Sequence, residues 1–312
     1  MRPRRRIPPR RRDRNGKRLA RAGAKKAKYR FEIDFSFGSA ATGREAVERT
    51  MPYLRQKAYA LISEALEEIV PLPSRKIRLE HKIHFVDVGA SKGIQPKWLR
   101  QKDNIIPVLF EPNPEEARRL RDQLSAFEKS FVIETGLADR NGPQQLHIGE
   151  HYGCTSILEA NSAFLSDYQI AASYHVKDTV EIECARYDGL VDAGKAPVPD
   201  VIKIDVEGYE SHVLEGFGSL LHNVVGIETE VFFYPVYKRQ ALFHDLIAQL
   251  EPFGLRLKRI EEVPAFDGDL VCANAYFMKD RVAYARLSTE RRAKYDLAAH
   301  VFQITERPLA RC

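Results

Sequence analysis

A chain of 312 residues, 44% of them hydrophobic, has the length for one large α/β body with appendages and the composition of a globular protein. Its longest apolar runs, such as Val108 to Phe110 and Val224 to Ile227, fall far short of the roughly 20 residues of a membrane helix. The four cysteines (Cys154, Cys184, Cys272 and Cys312) lack C-x-x-C spacing, which speaks against a disulfide framework or a zinc knuckle. The net charge of +6 is uneven: fifteen Lys and Arg fall within residues 1–30 against one acid, Asp13, so the rest of the chain is net acidic.

Scattered cysteines suit a reducing compartment, and the expected location is cytoplasmic. Residues 1–40 read as a basic, disordered extension, because runs such as Arg4-Arg5-Arg6 and Arg10-Arg11-Arg12 cannot bury enough surface to offset their ordering entropy. Contact with a polyanion (nucleic acid, acidic lipid or anionic glycan) is one reading of that charge, and a solvated extension is the other. A targeting peptide fits less well, since no serine precedes Ser36 and no apolar face is evident. Residues 41–80 form an N-terminal helical segment. Met51, Leu54, Ala58, Leu61, Ile62, Ala65, Leu66 and Ile69 recur at helical spacing between Thr50 and Pro71, a stripe that packs on its own body.

The alternation that sets the fold occupies residues 81–280. Strands are expected at Ile83 to Val88, Ile105 to Phe110 and 131–135, separated by a short helix near Pro96 to Gln101 and a helix from Pro114 to about Phe127. Asn113-Pro114-Glu115-Glu116 is a helix start, with a cap, a proline and two acids at the positive end of the dipole. Residues 144–185 interrupt the rhythm with two short strands, Gln144 to Ile148 and Val180 to Cys184, and a polar, aromatic stretch between them suited to shaping an acceptor pocket. The alternation resumes with strand Val201 to Ile204, a helix over Tyr209 to Gly216, strand Val224 to Thr229 and a helix from Arg239 to Phe253. It closes with an antiparallel pair, Leu255 to Ile260 and Leu270 to Met278. Residues 281–312 carry a last helix, docked by Leu297, Val301 and Phe302, and a tail. The pattern predicts a parallel α/β sheet with right-handed crossovers.

Two constellations carry chemistry. In the first, Asp87 ends a strand, Gly89-Ala90-Ser91-Lys92-Gly93 makes a turn, and Glu111 follows the next strand. That spacing holds a nucleoside, with the carboxylate on the ribose hydroxyls. The central glycine of the dinucleotide fingerprint is missing, so a ligand without pyrophosphate fits better. S-adenosylmethionine is such a ligand, and the residues expected against it are Asp87, Gly89, Ala90, Gly93, Glu111, Asn113, Ala138 and Asp139. In the second, strand 201–204 is followed by Asp205, Glu207 and Gly208, at the end of the sheet where open α/β folds place ligands.

Phe85-Val-Asp-Val-Gly-Ala90, Phe110-Glu-Pro-Asn-Pro114, Leu137-Ala-Asp139, Thr155-Ser156 and Lys203-Ile-Asp-Val-Glu-Gly-Tyr-Glu210 together resemble the FkbM-type family of S-adenosylmethionine-dependent methyltransferases, over about residues 83–278. The resemblance implies a class I methyltransferase (Rossmann-like) sandwich with a seven-stranded, mostly parallel sheet and an antiparallel last strand, so that residues 81–280 become the methyltransferase domain. It implies O-methylation of a hydroxyl on a sugar or other small metabolite, with a small-molecule or glycan acceptor. Ser91 replaces the usual Asn, and Ala185-Arg186-Tyr187-Asp188 departs from the family's Thr-Leu-Asp pattern. Alternative readings are a nucleic-acid methyltransferase using the basic tail and a non-catalytic binding protein that retains the fold.

An alcohol must lose its proton on methylation, which a carboxylate assists. The catalytic candidates are therefore Asp205 or Glu207 as base, with Lys203 orienting one of them. Asp205 could instead hold a divalent metal or simply contact the cofactor. His147-Ile-Gly-Glu150-His151 matches a zinc-peptidase pattern, but Gly149 and a glutamine-rich lead-in read as strand and turn rather than the helix that pattern needs, so no metal site is expected there. Glu228-Thr-Glu230 either lines the acceptor site or is a solvated strand end.

Overall fold

A computed structural model describes residues 78–91 and 93–304. The basic extension of residues 1–40, the helix expected over 50–70, Lys92 and the chain after residue 304 lie outside the described residues. In chain order the elements are β1 (Ile83–Val88), α1 (Pro96–Leu99), β2 (Ile105–Phe110), α2 (Pro114–Gln123), β3 (Phe131–Ile133), β4 (Gly136–Leu137), β5 (Gly142–Gly149), α3 (Ser162–Leu165), β6 (Val176–Ala185), α4 (Tyr187–Asp192), β7 (Val201–Ile204), α5 (Glu210–Phe217), β8 (Gly226–Phe232), α6 (Phe243–Leu250), β9 (Leu255–Val263), β10 (Cys272–Lys279), α7 (Arg281–Ala285) and α8 (Thr289–Val301).

Seven strands make the main sheet in the order β3-β2-β1-β7-β8-β10-β9. The first five run parallel, and β10 inserts antiparallel between β8 and β9. This is the class I methyltransferase topology. Strands β1, β2 and β7 are apolar almost throughout because both faces of the sheet are covered. Along β1 successive side chains alternate: Val86 and Val88 join Phe110, Ile204, Tyr187 and Phe217 on one face, while Ile83 and Phe85 join Trp98, Leu297 and Phe302 on the other. Trp98 stacks on Phe85 with ring centroids 4.4 Å apart and meets Phe302 edge-on. Leu297, Val301 and Phe302 are buried, as the expected docking residues of the last helix.

The order reverses between β1 and β7, and such a switch point opens a crevice at the carboxyl ends of the strands. Asp87 pairs in register with Lys203 across those two strands, and Val88 with Phe110. Asp87, Glu111 and Asp205 therefore reach the same edge of the sheet.

Several boundaries differ from expectation by a few residues, and the larger shifts have local causes. The helix expected from Arg239 begins at Phe243: residues 237–242 form a turn in which Tyr237 N–H donates to Gln240 Oε1 and Lys238 N–H to Glu159 O. The same helix stops at Leu250, and Glu251–Phe253 continues as a tighter turn around Pro252, which lacks the N–H an α-helix requires. The interrupting segment forms a separate three-stranded sheet, β4-β6-β5. Strand β6 begins four residues before the expected start, at Val176, because residues 176–179 (Val-Lys-Asp-Thr) are exposed and mostly polar, so no apolar run marks them. Among the described residues no helix is long and apolar enough to cross a membrane.

Candidate functional site

The centre of the crevice is a buried charge cluster. Lys203 leaves β7 with its ammonium 3.2 Å from Asp87 Oδ1 and 3.3 Å from Asp205 Oδ2. Burial pushes the Asp87 carboxyl up to about 6, against the pull of Lys203. Burial likewise opposes the charged form of Lys203, but the carboxylates of Asp87, Asp205 and Glu228 outweigh it and hold the ammonium protonated above its ordinary range. Lys203 is thus a fixed cation behind the crevice, in contact with Asp87 and Asp205. Asp87 Oδ2 is sealed and has no hydrogen-bond partner.

The turn after β1 fits against this cluster. Gly89 has φ +80°, and a Cβ there would stand 2.1 Å from the Asp205 carbonyl oxygen. Only glycine lets the two strand ends touch in this way. Ala90 is buried, its N–H donating to Phe110 O, and Gly93 also takes positive φ. Glu111 is buried after β2, one carboxylate oxygen accepting the Asn113 N–H at 2.9 Å, and burial raises its pKa. The Asn113 side chain caps α2 through the N–H groups of Glu115 and Glu116, so toward a ligand Asn113 shapes the turn rather than offering that oxygen. Ser91, Asn113, Glu116, Arg119 and Tyr152 line an open cleft of about 430 Å³. Ala138 is buried, and Asp139 lies beside α5, its carboxylate 3.4 Å from both Tyr209 OH and His212 Nδ1. Arg186, at the site of departure from the family pattern, donates to Asp139 O at 2.6 Å and pairs with Asp188; it braces that turn.

The turn after β7 carries the second half. Glu207 has φ +55°, its Oε2 accepts from Tyr237 OH at 3.0 Å, and its carbonyl accepts from Ser156 Oγ at 2.7 Å. Glu210 Oε1 accepts the N–H groups of Val206 and Gly208, tying the turn from below. Burial raises the Glu210 carboxyl to about 7 against those donors. Glu230 completes a trio: donor atoms of Asp205, Glu207 and Glu230 all lie within 4.8 Å of one another. Burial, with Glu207 and Asp205 nearby, drives the Glu230 carboxyl far above the usual range. The Asp205 side chain, 49% exposed, is the member of the trio that opens outward.

Sequence reasoning reached Asp205 and Glu207, left Glu230 with two readings, quoted Glu210 without a role and missed Tyr237. An available signal for Glu230 was a polar triplet, Glu228-Thr229-Glu230, flanked by the apolar residues Val224 to Ile227 and Val231 to Phe233. The solvated-end reading of Glu228-Thr-Glu230 is corrected: both acids lie within β8, and buried Glu228 pairs with Lys97 at 2.7 Å. His147 lies on a strand as expected, and His147, Glu150 and His151 join neither cluster of potential metal ligands among the described residues, Asp139–His212–Glu215 and Asp205–Glu207–Glu230.

The family described as methyltransferase FkbM domain matches residues 87–257. The chain is 24% identical over 198 residues to the 2-O-methyltransferase NoeI of Sinorhizobium fredii, covering 61% of this chain and 79% of that protein. It is 27% identical over 146 residues to the hexuronic acid methyltransferase AglP of Haloferax volcanii, covering 46% and 54% respectively. Among solved structures, magnesium protoporphyrin IX methyltransferase from Synechocystis PCC 6803 aligns over 78% of this chain and 87% of its own, with 8% identity and a TM-score of 0.37.

Proposed function

The chain belongs to the FkbM family of S-adenosylmethionine-dependent methyltransferases, and from that premise we propose that it methylates a hydroxyl of a sugar, with Asp205 taking the proton. The two relatives' names, one a 2-O position and the other a hexuronic acid, support a glycan acceptor over a nucleic acid. The carrying observation is the carboxylate trio beside the Gly89 turn, with Asp205 its outward-facing member.

The residues present suit the cofactor. Glu111 is placed for the ribose, Gly89 lets the backbone turn closely, and the sealed Asp87 Oδ2 has an acceptor site to spare. Bound S-adenosylmethionine supplies an electrophilic methyl carbon whose transfer needs an in-line approach. Asp205 would accept the acceptor's hydroxyl proton. Lys203 holds the Asp205 carboxylate from behind. Glu207, fixed by Tyr237 and Ser156, orients the acceptor hydroxyl.

Asp205→Asn and Glu207→Gln test the roles with methyl-labelled cofactor and a uronic-acid oligosaccharide. Loss of general-base action costs about 10²–10⁴ in turnover. The expected pattern is that loss in Asp205→Asn with cofactor affinity kept, and full turnover in both variants sinks the assignment. The trio is also the donor set of a hard cation, favoured by the partnerless Glu230 Oε2. Turnover unchanged in EDTA leaves Asp205 as the base, whereas loss restored by Mg²⁺ assigns the trio to a metal. The basic stretch of residues 1–30 is assigned to an anionic partner rather than to transfer, in a protein acting in the cytoplasm.

A further inference from the structure

The cleft beside Glu111 has one wall that comes from neither of the two expected constellations. Ser91 belongs to the turn after β1, and Asn113, Glu116 and Arg119 belong to the start of α2, but Tyr152 comes from the insertion, just after β5. Arg119 pairs with Glu116 and donates to the Ser91 carbonyl, so the first turn and α2 make one continuous floor. Tyr152 faces that floor. Its phenol lies near Glu111 and Glu116, whose charges add to burial in raising it to about 12, so it stays neutral near pH 7.

The backbone around Tyr152 is closed on itself. Glu150 N–H donates to His175 O, His151 N–H to Ser173 O, Cys154 N–H to His151 O, and Thr155 N–H to Tyr152 O. A Cβ at Gly149 would stand 2.9 Å from the carbonyls of both His151 and Cys154. A turn held this way presents its aromatic ring at a fixed height over the cleft, yet the residue remains 45% exposed. Its hydroxyl also bonds the Ser91 side chain, which ties the insertion to the first turn across the cleft.

We propose that Tyr152 is a cofactor-binding residue, its ring forming the outer wall of the nucleoside cleft, so that the acceptor-side insertion also retains S-adenosylmethionine. The inference rests on the cofactor reading above. A flat adenine between a polar floor and an aromatic wall gains stacking energy that does not depend on hydrogen bonding.

Calorimetric titration of the full chain with S-adenosylmethionine and with S-adenosylhomocysteine tests it. Stacking of a base on an aromatic ring corresponds to roughly tenfold in affinity. Tyr152→Ala is expected to raise both dissociation constants about tenfold and Tyr152→Phe to leave them within about threefold. Tyr152→Leu keeps bulk without an aromatic face and gives the same readout if the alanine variant does not fold. Unchanged affinity in the folded alanine or leucine variant overturns the inference while leaving the cofactor reading intact. A wild-type chain that binds neither compound overturns both.

Discussion

Replacing Asp87 with Asn removes one buried ionisation from the centre of the site and keeps the shape of the side chain. Asp87 is fully buried and titrates at about 6 against an ordinary 3.8. The gap of roughly two units, at 1.36 kcal/mol each, amounts to about 3 kcal/mol. The folded state holds the proton more tightly than the unfolded chain, so this contribution lowers stability as pH rises. Below about 3.8 both states are protonated and the deficit is absent; it grows between about 3.8 and 6 and is complete above. The amide of the variant does not ionise, and Lys203 would keep Asp205 and Glu228 as its counter-charges. Urea unfolding of both proteins at pH steps from 4 to 7.5 reads the difference. Relative to wild type, Asp87→Asn should gain about 3 kcal/mol across that interval. Glu111, Glu210 and Glu230, whose carboxyls are also raised, titrate in both proteins and largely cancel. Parallel stability profiles would refute the claim that Asp87 ionises against burial.

Gly89→Ala and Gly93→Ala both place a side chain at positive φ, a cost of about 1–2 kcal/mol. Only the first drives Cβ into backbone, the Asp205 carbonyl, whereas the second meets the flexible end of Gln123. Thermal melts should therefore show Gly89→Ala the less stable by at least about 2 kcal/mol, with turnover falling as Asp205 is displaced; equal melts would show that the two strand ends do not touch. Glu210→Gln keeps an oxygen for the Val206 and Gly208 N–H groups and should stay within about 1 kcal/mol of wild type, while Glu210→Ala strands both donors and should lose about 2–4 kcal/mol. Chemical denaturation separates the two.

What could be read from the sequence follows from where each residue's neighbours lie. Strands β1, β2 and β7 are legible because both faces of the sheet are covered, leaving mostly apolar runs, and Asp87, Glu111 and Asp205 stand out as the acids at their ends. The glycine spacing around Gly89 is local and readable for the same reason. Glu230 and Tyr237 reach Glu207 only through the crossover to β8, a relation that no short window contains. Tyr152 is further still, since the turn that carries it is set by contacts with residues 173–175. The shortened start of α6 has the same origin: Lys238 is drawn into a backbone pairing with Glu159 of the insertion, against the helical pattern of its own segment.

The insertion leaves and re-enters the body at one place. Gly136 and Leu137 pair with Cys184 and Ala185, and the Ala138 N–H donates to Ala185 O. A segment whose two ends are neighbours is one that recombination or design can exchange as a cassette, since the scaffold sees the same junction whatever the loop contains. Such an exchange here would not be neutral toward the cofactor. With Tyr152 inside the cassette and Ser156 bonded to the Glu207 turn, a transplanted loop would, on the proposed roles, bring its own cofactor affinity and its own setting of the Asp205 and Glu207 carboxylates.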